Sequence, residues 1–110
     1  GDQVISVKHL GGVVIGDSCK AADHVHVAHA VKIGYGALIA ANACINGNVH
    51  IGDDAWIGPG STLSNGITIG NHARISIGSV VTKDVGDGKT VSGNFAIDHE
   101  KFIDFVKSIR

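Results

Sequence analysis

The chain repeats itself every six residues. From Ile15 it divides without a gap into twelve blocks: IGDSCK, AADHVH, VAHAVK, IGYGAL, IAANAC, INGNVH, IGDDAW, IGPGST, LSNGIT, IGNHAR, ISIGSV and VTKDVG. The first residue of a block is Ile, Leu or Val in eleven cases and Ala in one. The second is Gly, Ala, Asn, Ser or Thr, and the fifth is small or aliphatic throughout. A period of six fits neither a helix nor a simple alternating strand. It fits a solenoid of triangular cross-section, in which each block supplies one flat side and one corner. On this reading the large aliphatic points inward and the small second residue lets the chain turn. Three blocks make a coil of 18 residues, so Ile15, Ile33, Ile51 and Ile69 fall on one corner. Ala21, Ile39, Ile57 and Ile75 fall on the second, and Val27, Ile45, Leu63 and Val81 on the third. Composition agrees: 14 Ile and 13 Val against 3 Leu favour pleated over helical surfaces.

The two ends leave this frame. Residues 1–14 hold Val4, Ile5, Val7, Val13 and Val14, enough for an irregular first coil. Residues 86–95 read as a loop. Residues 96–110, AIDHEKFIDFVKSIR, read as a capping helix with Phe102, Ile103, Phe105, Val106 and Ile109 on one face. Asp98 is its expected N-cap, and Ile97 and Phe102 are placed as a hydrophobic staple. The expected organisation is a solenoid domain over 1–95 and a C-terminal helix over 96–110.

A formal net charge of −1 gives no electrostatic case for a nucleic-acid or acidic-membrane partner. No apolar run approaches a membrane span of about 18 residues, and no signal peptide is visible. The chain has no Met, so Gly1 is expected to arise from processing or fragmentation. Cys19 and Cys44 form no CxxC and sit among small aliphatic residues, as reduced thiols of a cytoplasmic protein would.

The frame over about residues 15–95 resembles the hexapeptide-repeat acyltransferases. The stretch GSVVTKDV (78–85) resembles their closing coil. The stretch DHVHVAHAVKIG (23–34) resembles the active-site coil of the lipid A-type, acyl-carrier-protein-dependent branch. The nearest likeness is to the C-terminal part of the UDP-3-O-acylglucosamine N-acyltransferases. The resemblance implies an all-β fold, a left-handed parallel β-helix closed by a C-terminal α-helix, assembled as a homotrimer in the bacterial cytoplasm. It implies acyl transfer from an acyl-carrier-protein (phosphopantetheine) or acyl-CoA thioester to the amine or hydroxyl of a UDP-linked sugar. No tightly bound cofactor and no metal are implied. Three positions depart from the family pattern. Ala30 follows the motif His where Asn or Asp is usual. Asn48 stands where a second His is common. GNFAID (93–98) replaces the GNPAK ending of the acetyl-CoA branch.

Within the resemblance His29 is the general base. An ordinary imidazole, with a pKa near ~6.5, is largely neutral at pH 7 and can take the proton of an attacking amine or hydroxyl. Such a base contributes about 10²–10⁴-fold. The stacked neighbours of His29, 18 residues apart, are Gly47, Asn65 and Lys83. Gly47 leaves space above the imidazole and is the candidate donor of an oxyanion-stabilising N–H. His26, Gly47, Asn48, Asn65 and Lys83 are the candidate substrate- or donor-binding residues. The flat faces of a prism offer no deep pocket, so the site is expected in a cleft between two subunits. For each histidine a solvated surface imidazole is the plain alternative.

Two other readings compete. His24 and His29 have the H-x4-H spacing of part of a γ-class carbonic anhydrase zinc site, although a catalytic zinc needs a third protein ligand. A non-catalytic trimeric solenoid, or a truncated fragment of a larger enzyme, would need no chemistry at His29.

Overall fold

The computed structural model describes the backbone of residues 5–7 and all of residues 12–110. Val4, named above, lies outside the described residues, as does His9. The strands follow one another as β1 (Ile5–Val7), β2 (Val14–Ile15), β3 (Lys20–Ala21), β4 (Val25–Val27), β5 (Lys32–Ile33), β6 (Leu38–Ile39), β7 (Cys44–Ile45), β8 (His50–Ile51), β9 (Trp56–Ile57), β10 (Thr62–Leu63), β11 (Thr68–Ile69), β12 (Arg74–Ile75), β13 (Val80–Val81), β14 (Thr90–Gly93) and β15 (Ala96–Asp98), before helix α1 (His99–Ser108).

Every third strand pairs with the next. One sheet runs β1-β4-β7-β10-β13, a second β2-β5-β8-β11, and a third β3-β6-β9-β12-β14-β15. The pairing is parallel with an 18-residue offset, as in Ile33↔Ile51, Ile39↔Ile57 and Ile45↔Leu63. The result is the parallel β-helix expected from the repeat. Each coil satisfies its amides on the next, as Gly34 N donates to Ile51 O at 2.7 Å and Trp56 N to Ala73 O at 2.9 Å. The first coil is longer: Ile5 pairs with Val25, an offset of 20.

From Ala21 on, the core is the first and fifth residue of each block, whereas Ile15, in the first block, is exposed. Val27, Ile45, Ile57, Leu63, Ile69 and Ile75 are fully buried, with Ala37, Ala43, Ala55 and Ala73 between them. The aliphatic rows therefore stack as expected, but on the flat faces rather than at the corners. The turns fall on the third and fourth residues. The fourth takes a left-handed backbone, with φ of 61° at His24, 56° at Ala30, 62° at Asn42, 60° at Asn48 and 54° at Asp54. The small second residue has a different cause from the one expected. A Cβ at Gly34 would lie 2.7 Å from both Asp53 N and the carbonyl carbon of Gly52, so the next coil leaves no room for it.

The frame closes early. Ile69 bridges to Val85 and Arg74 pairs with Thr90, both offsets of 16, so the last coil is two residues short. Thr68 N, left without a carbonyl there, donates to Asp84 Oδ1 at 2.8 Å. The segment 86–95, expected as a loop, contains β14. Residues 96–98, expected in the helix, form β15, which turns back antiparallel on β14. Helix α1 starts at His99. Asp98 caps it, accepting from Glu100 N at 3.1 Å. No residue of α1 is fully buried.

Candidate functional site

Three corners run the length of the prism, and their residues decide what each can do. The corner at residues 17–18, 35–36, 53–54 and 71–72 is occupied by its own chain. Tyr35 N donates to Asp53 Oδ1 (2.9 Å), Asp53 N to Asn71 Oδ1 (2.8 Å), and Asn71 N to Asp87 Oδ1 (2.8 Å). The amides of Tyr35, Asp53 and Asn71 are thus each capped by the carboxylate or carboxamide of the next coil. Part of this ladder was visible in the sequence, as Asp53 and Asn71 in the third position of blocks three apart; Asp87 lies beyond the last block.

The corner that carries His29 is built differently. The residue one coil above His29 is Gly47, which has no side chain to cap anything. A Cβ placed on Gly47 would lie 2.9 Å from His29 Cε1, 3.0 Å from His29 Nε2 and 3.2 Å from Asn65 Nδ2. The imidazole and the Asn65 carboxamide thus close over the glycine from below and above. Asn65 is in register to cap Gly47 N as Asn71 caps Asp53, yet among the described residues Gly47 N has no hydrogen-bond acceptor. The backbone around it is tied down: Asn48 N donates to His29 O (3.1 Å) and Gly66 N to Gly47 O (2.9 Å). His29 and Asn65 are exposed and Gly47 is buried.

The other expected residues fall around this column rather than in it. Asn48 occupies the left-handed turn position, φ 60°, where Asn is tolerated. Ala30 occupies the same position one coil below, which gives a physical reason for the Asn or Asp of the family pattern. His26 lies on the adjacent flat face, half-buried and in register with Cys44. Lys83 does not continue the column. The chain takes four residues from Val81 to Val85 where the coil below takes six from Leu63 to Ile69, so the corner at Lys83 is contracted.

His24 and His29 sit in successive turns, at opposite ends of the face formed by β4. Among the described residues no three His, Cys, Asp or Glu side chains converge as metal ligands. Burial pushes the Cys19 thiol above its ordinary value of 9.0, outweighing the nearby backbone amides; its Sγ donates to Gly34 O.

The faces are not all flat. A cavity of about 580 Å³ lies where α1 and the β14–β15 hairpin meet the prism, lined by Trp56, Ser76, Ile77, Ser92, His99 and Phe102, among others. Nothing in the sequence marked it, because Ser92 and His99 meet only through the antiparallel return of β15.

Comparison with known proteins follows the same lines. Residues 48–83 match the family model described as bacterial transferase hexapeptide (six repeats). The chain is thus a hexapeptide-repeat β-solenoid. Soybean serine acetyltransferase superposes with a TM-score of 0.76 at 31% identity, over 79% of this chain and 40% of that one. A hexapeptide-repeat-containing acetyltransferase from Vibrio cholerae gives a TM-score of 0.79 at 23% identity, over 86% of this chain and 65% of that one. The GDP-perosamine N-acetyltransferase of Caulobacter crescentus, solved with CoA and GDP-perosamine, gives 0.63 at 23% identity, over 86% and 52%. The chain spans about 40% of the length of the soybean enzyme. No curated protein sequence matches it.

Proposed function

We propose that the chain is an acyltransferase that moves an acyl group from a thioester to the amine or hydroxyl of a small polar acceptor, with His29 as general base. The observation that carries this reading is the His29–Gly47–Asn65 column, an imidazole closed over a glycine whose amide has no acceptor among the described residues. The acceptor nitrogen or oxygen attacks the thioester carbonyl as His29 takes its proton. The tetrahedral oxyanion is held by Gly47 N–H, and Asn65 orients the acceptor or the carbonyl. The C–S bond then breaks, and the imidazolium returns its proton to the leaving thiolate. Asn48 and His26 line the approach, and Lys83 meets donor phosphates from beside the column.

The fold neighbours support a CoA thioester as donor, since one of them is a complex with CoA and a nucleotide-linked sugar. The acyl-carrier-protein, lipid A-type donor stays as the finer alternative, resting on residues 23–34. The acceptor class we favour is a nucleotide-activated sugar. Assembly is proposed as a homotrimer, which would set the His29 corner against a neighbouring prism in the cytoplasm. Among the described residues no helix is long and apolar enough to cross a membrane.

The test is release of free thiol. The chain is incubated with acetyl-CoA, a longer acyl-CoA or a 3-hydroxyacyl carrier protein, each with and without UDP- and GDP-linked amino sugars and with serine. Acceptor-dependent release that falls about a hundredfold or more in His29→Ala is the expected result, and the best donor decides the branch. Acceptor-dependent release that is unchanged in His29→Ala would take the role of base away from His29, and release absent with every pair would leave the non-catalytic solenoid as the better reading.

A further inference from the structure

The cavity under α1 is far from featureless. Its lining is mostly apolar, with Trp56, Phe102 and the exposed Ile77 as its walls and Ser76, Ser92 and His99 as a small polar floor. Ser92, only 2% exposed, places its Oγ 2.6 Å from Ser76 Oγ and 2.7 Å from His99 Nδ1. The hydroxyl pair ends on His99, whose other ring nitrogen, Nε2, has no hydrogen-bond partner among the described residues.

This chain of groups can be polarised in two directions. When Ser92 donates to Ser76, Nδ1 must carry its proton and donate to Ser92, and Nε2 presents a lone pair. When Ser76 donates to Ser92 and Ser92 to Nδ1, the proton sits on Nε2, which then donates. The floor therefore meets either an acceptor or a donor, at the cost only of rotating two hydroxyls and moving one tautomeric proton. The walls are also preset. The guanidinium of Arg74 lies 4.9 Å from the centroid of the Trp56 ring and braces it. Gly93 approaches Phe102 so closely that a Cβ there would be 2.8 Å from Cδ1, so the aromatic ring is locked against the β14–β15 turn. A volume of about 580 Å³ is that of a small-molecule site.

We propose that this cavity binds a planar nitrogen heteroaromatic ring of the nucleobase type, stacked on the aromatic walls and hydrogen-bonded at its polar edge through His99. Two aromatic walls select a flat ring over an aliphatic chain. A ring with mixed donors and acceptors along one edge matches a floor that can present either. The cavity borders the turn at residues 77–78, a different corner from that of His29, so the proposal stands whether or not His29 is a catalytic base.

Trp56 is the sole tryptophan of the chain, so its fluorescence reports this cavity without a label. Adenosine, guanosine and uridine are titrated separately while Trp56 emission is followed. Saturable quenching by at least one of them is expected. Phe102→Leu, which keeps an apolar wall without an aromatic face, should weaken that binding about tenfold. His99→Ala should weaken it as well, and Ile77→Ser, at an exposed lining position, keeps the test open if Phe102→Leu fails to fold. His29→Ala should bind as the parent does. Quenching that never saturates, or an affinity unchanged in Phe102→Leu and His99→Ala, would overturn the proposal. So would binding lost in His29→Ala, or no quenching by any of the three nucleosides.

Discussion

Replacing Gly47 by Ala tests the His29 column at a single atom. The new Cβ would lie 2.9 Å from His29 Cε1 and 3.0 Å from Nε2. Unbonded carbons rest at about 3.5–4.0 Å, so the imidazole must retreat by roughly 0.6–1 Å. Asn65 Nδ2, at 3.2 Å, must give way too. Both are ends of exposed side chains, so they can move without unfolding anything. Gly47 is not among the residues with positive φ, so alanine fits its backbone. At such a site the smaller conformational freedom of the unfolded chain stabilises the variant by about 0.4–1 kcal/mol. Stability and activity should therefore separate. The melting temperature should hold or rise slightly, while acceptor-dependent thiol release falls about a hundredfold, the usual consequence of a ~1 Å misplacement. The His29 Hε1 resonance should shift, which needs no turnover to detect. A variant with parental kcat/KM, in a protein whose His29→Ala form is inactive, would refute the reasoning: the base would not work from its seat over Gly47.

Four further outcomes follow from the fold. Ala30→Asn relieves a left-handed alanine and should stabilise the domain by up to about 1 kcal/mol in denaturant unfolding, as an alanine there has the penalty of about 1–2 kcal/mol and Asn tolerates the position. Ile57→Asp puts a carboxylate into the dry core, at a residue with no exposure, and should abolish the cooperative melting transition. Asn71→Ala uncaps Asp53 N and should cost about 1 kcal/mol, read from the same denaturant curves. The Cys19 thiol, raised by burial, gives stability that is fully present below the unfolded thiol pKa and lost as pH rises through the folded one. A Cys19→Ala variant should therefore lose less stability than the parent above about pH 9.

Much of this was legible in the sequence. The 18-residue stacking of Ile15 with Ile33 and of Ile39 with Ile57 follows from a strict period, since only parallel coils of that length keep every aliphatic inward. The opposition of His29, Gly47 and Asn65 was legible for the same reason. The seat of the turns was not, because the small second residue and the left-handed fourth residue leave similar marks on composition. Only the φ angles separate a residue small for want of space from one chosen for a turn.

The repeat by itself determined the solenoid, its core and the column at His29, because each depends on neighbours at one fixed offset. The tertiary structure alone decided where that offset fails. Contraction of the last coil takes Lys83 out of the column. The antiparallel return of β15 brings Ser92 to His99 and roofs a cavity with α1. These depend on how the chain ends pack back on a finished prism, where no period remains to be read and the balance of hydrogen bonds and apolar contact across non-repeating segments sets the result.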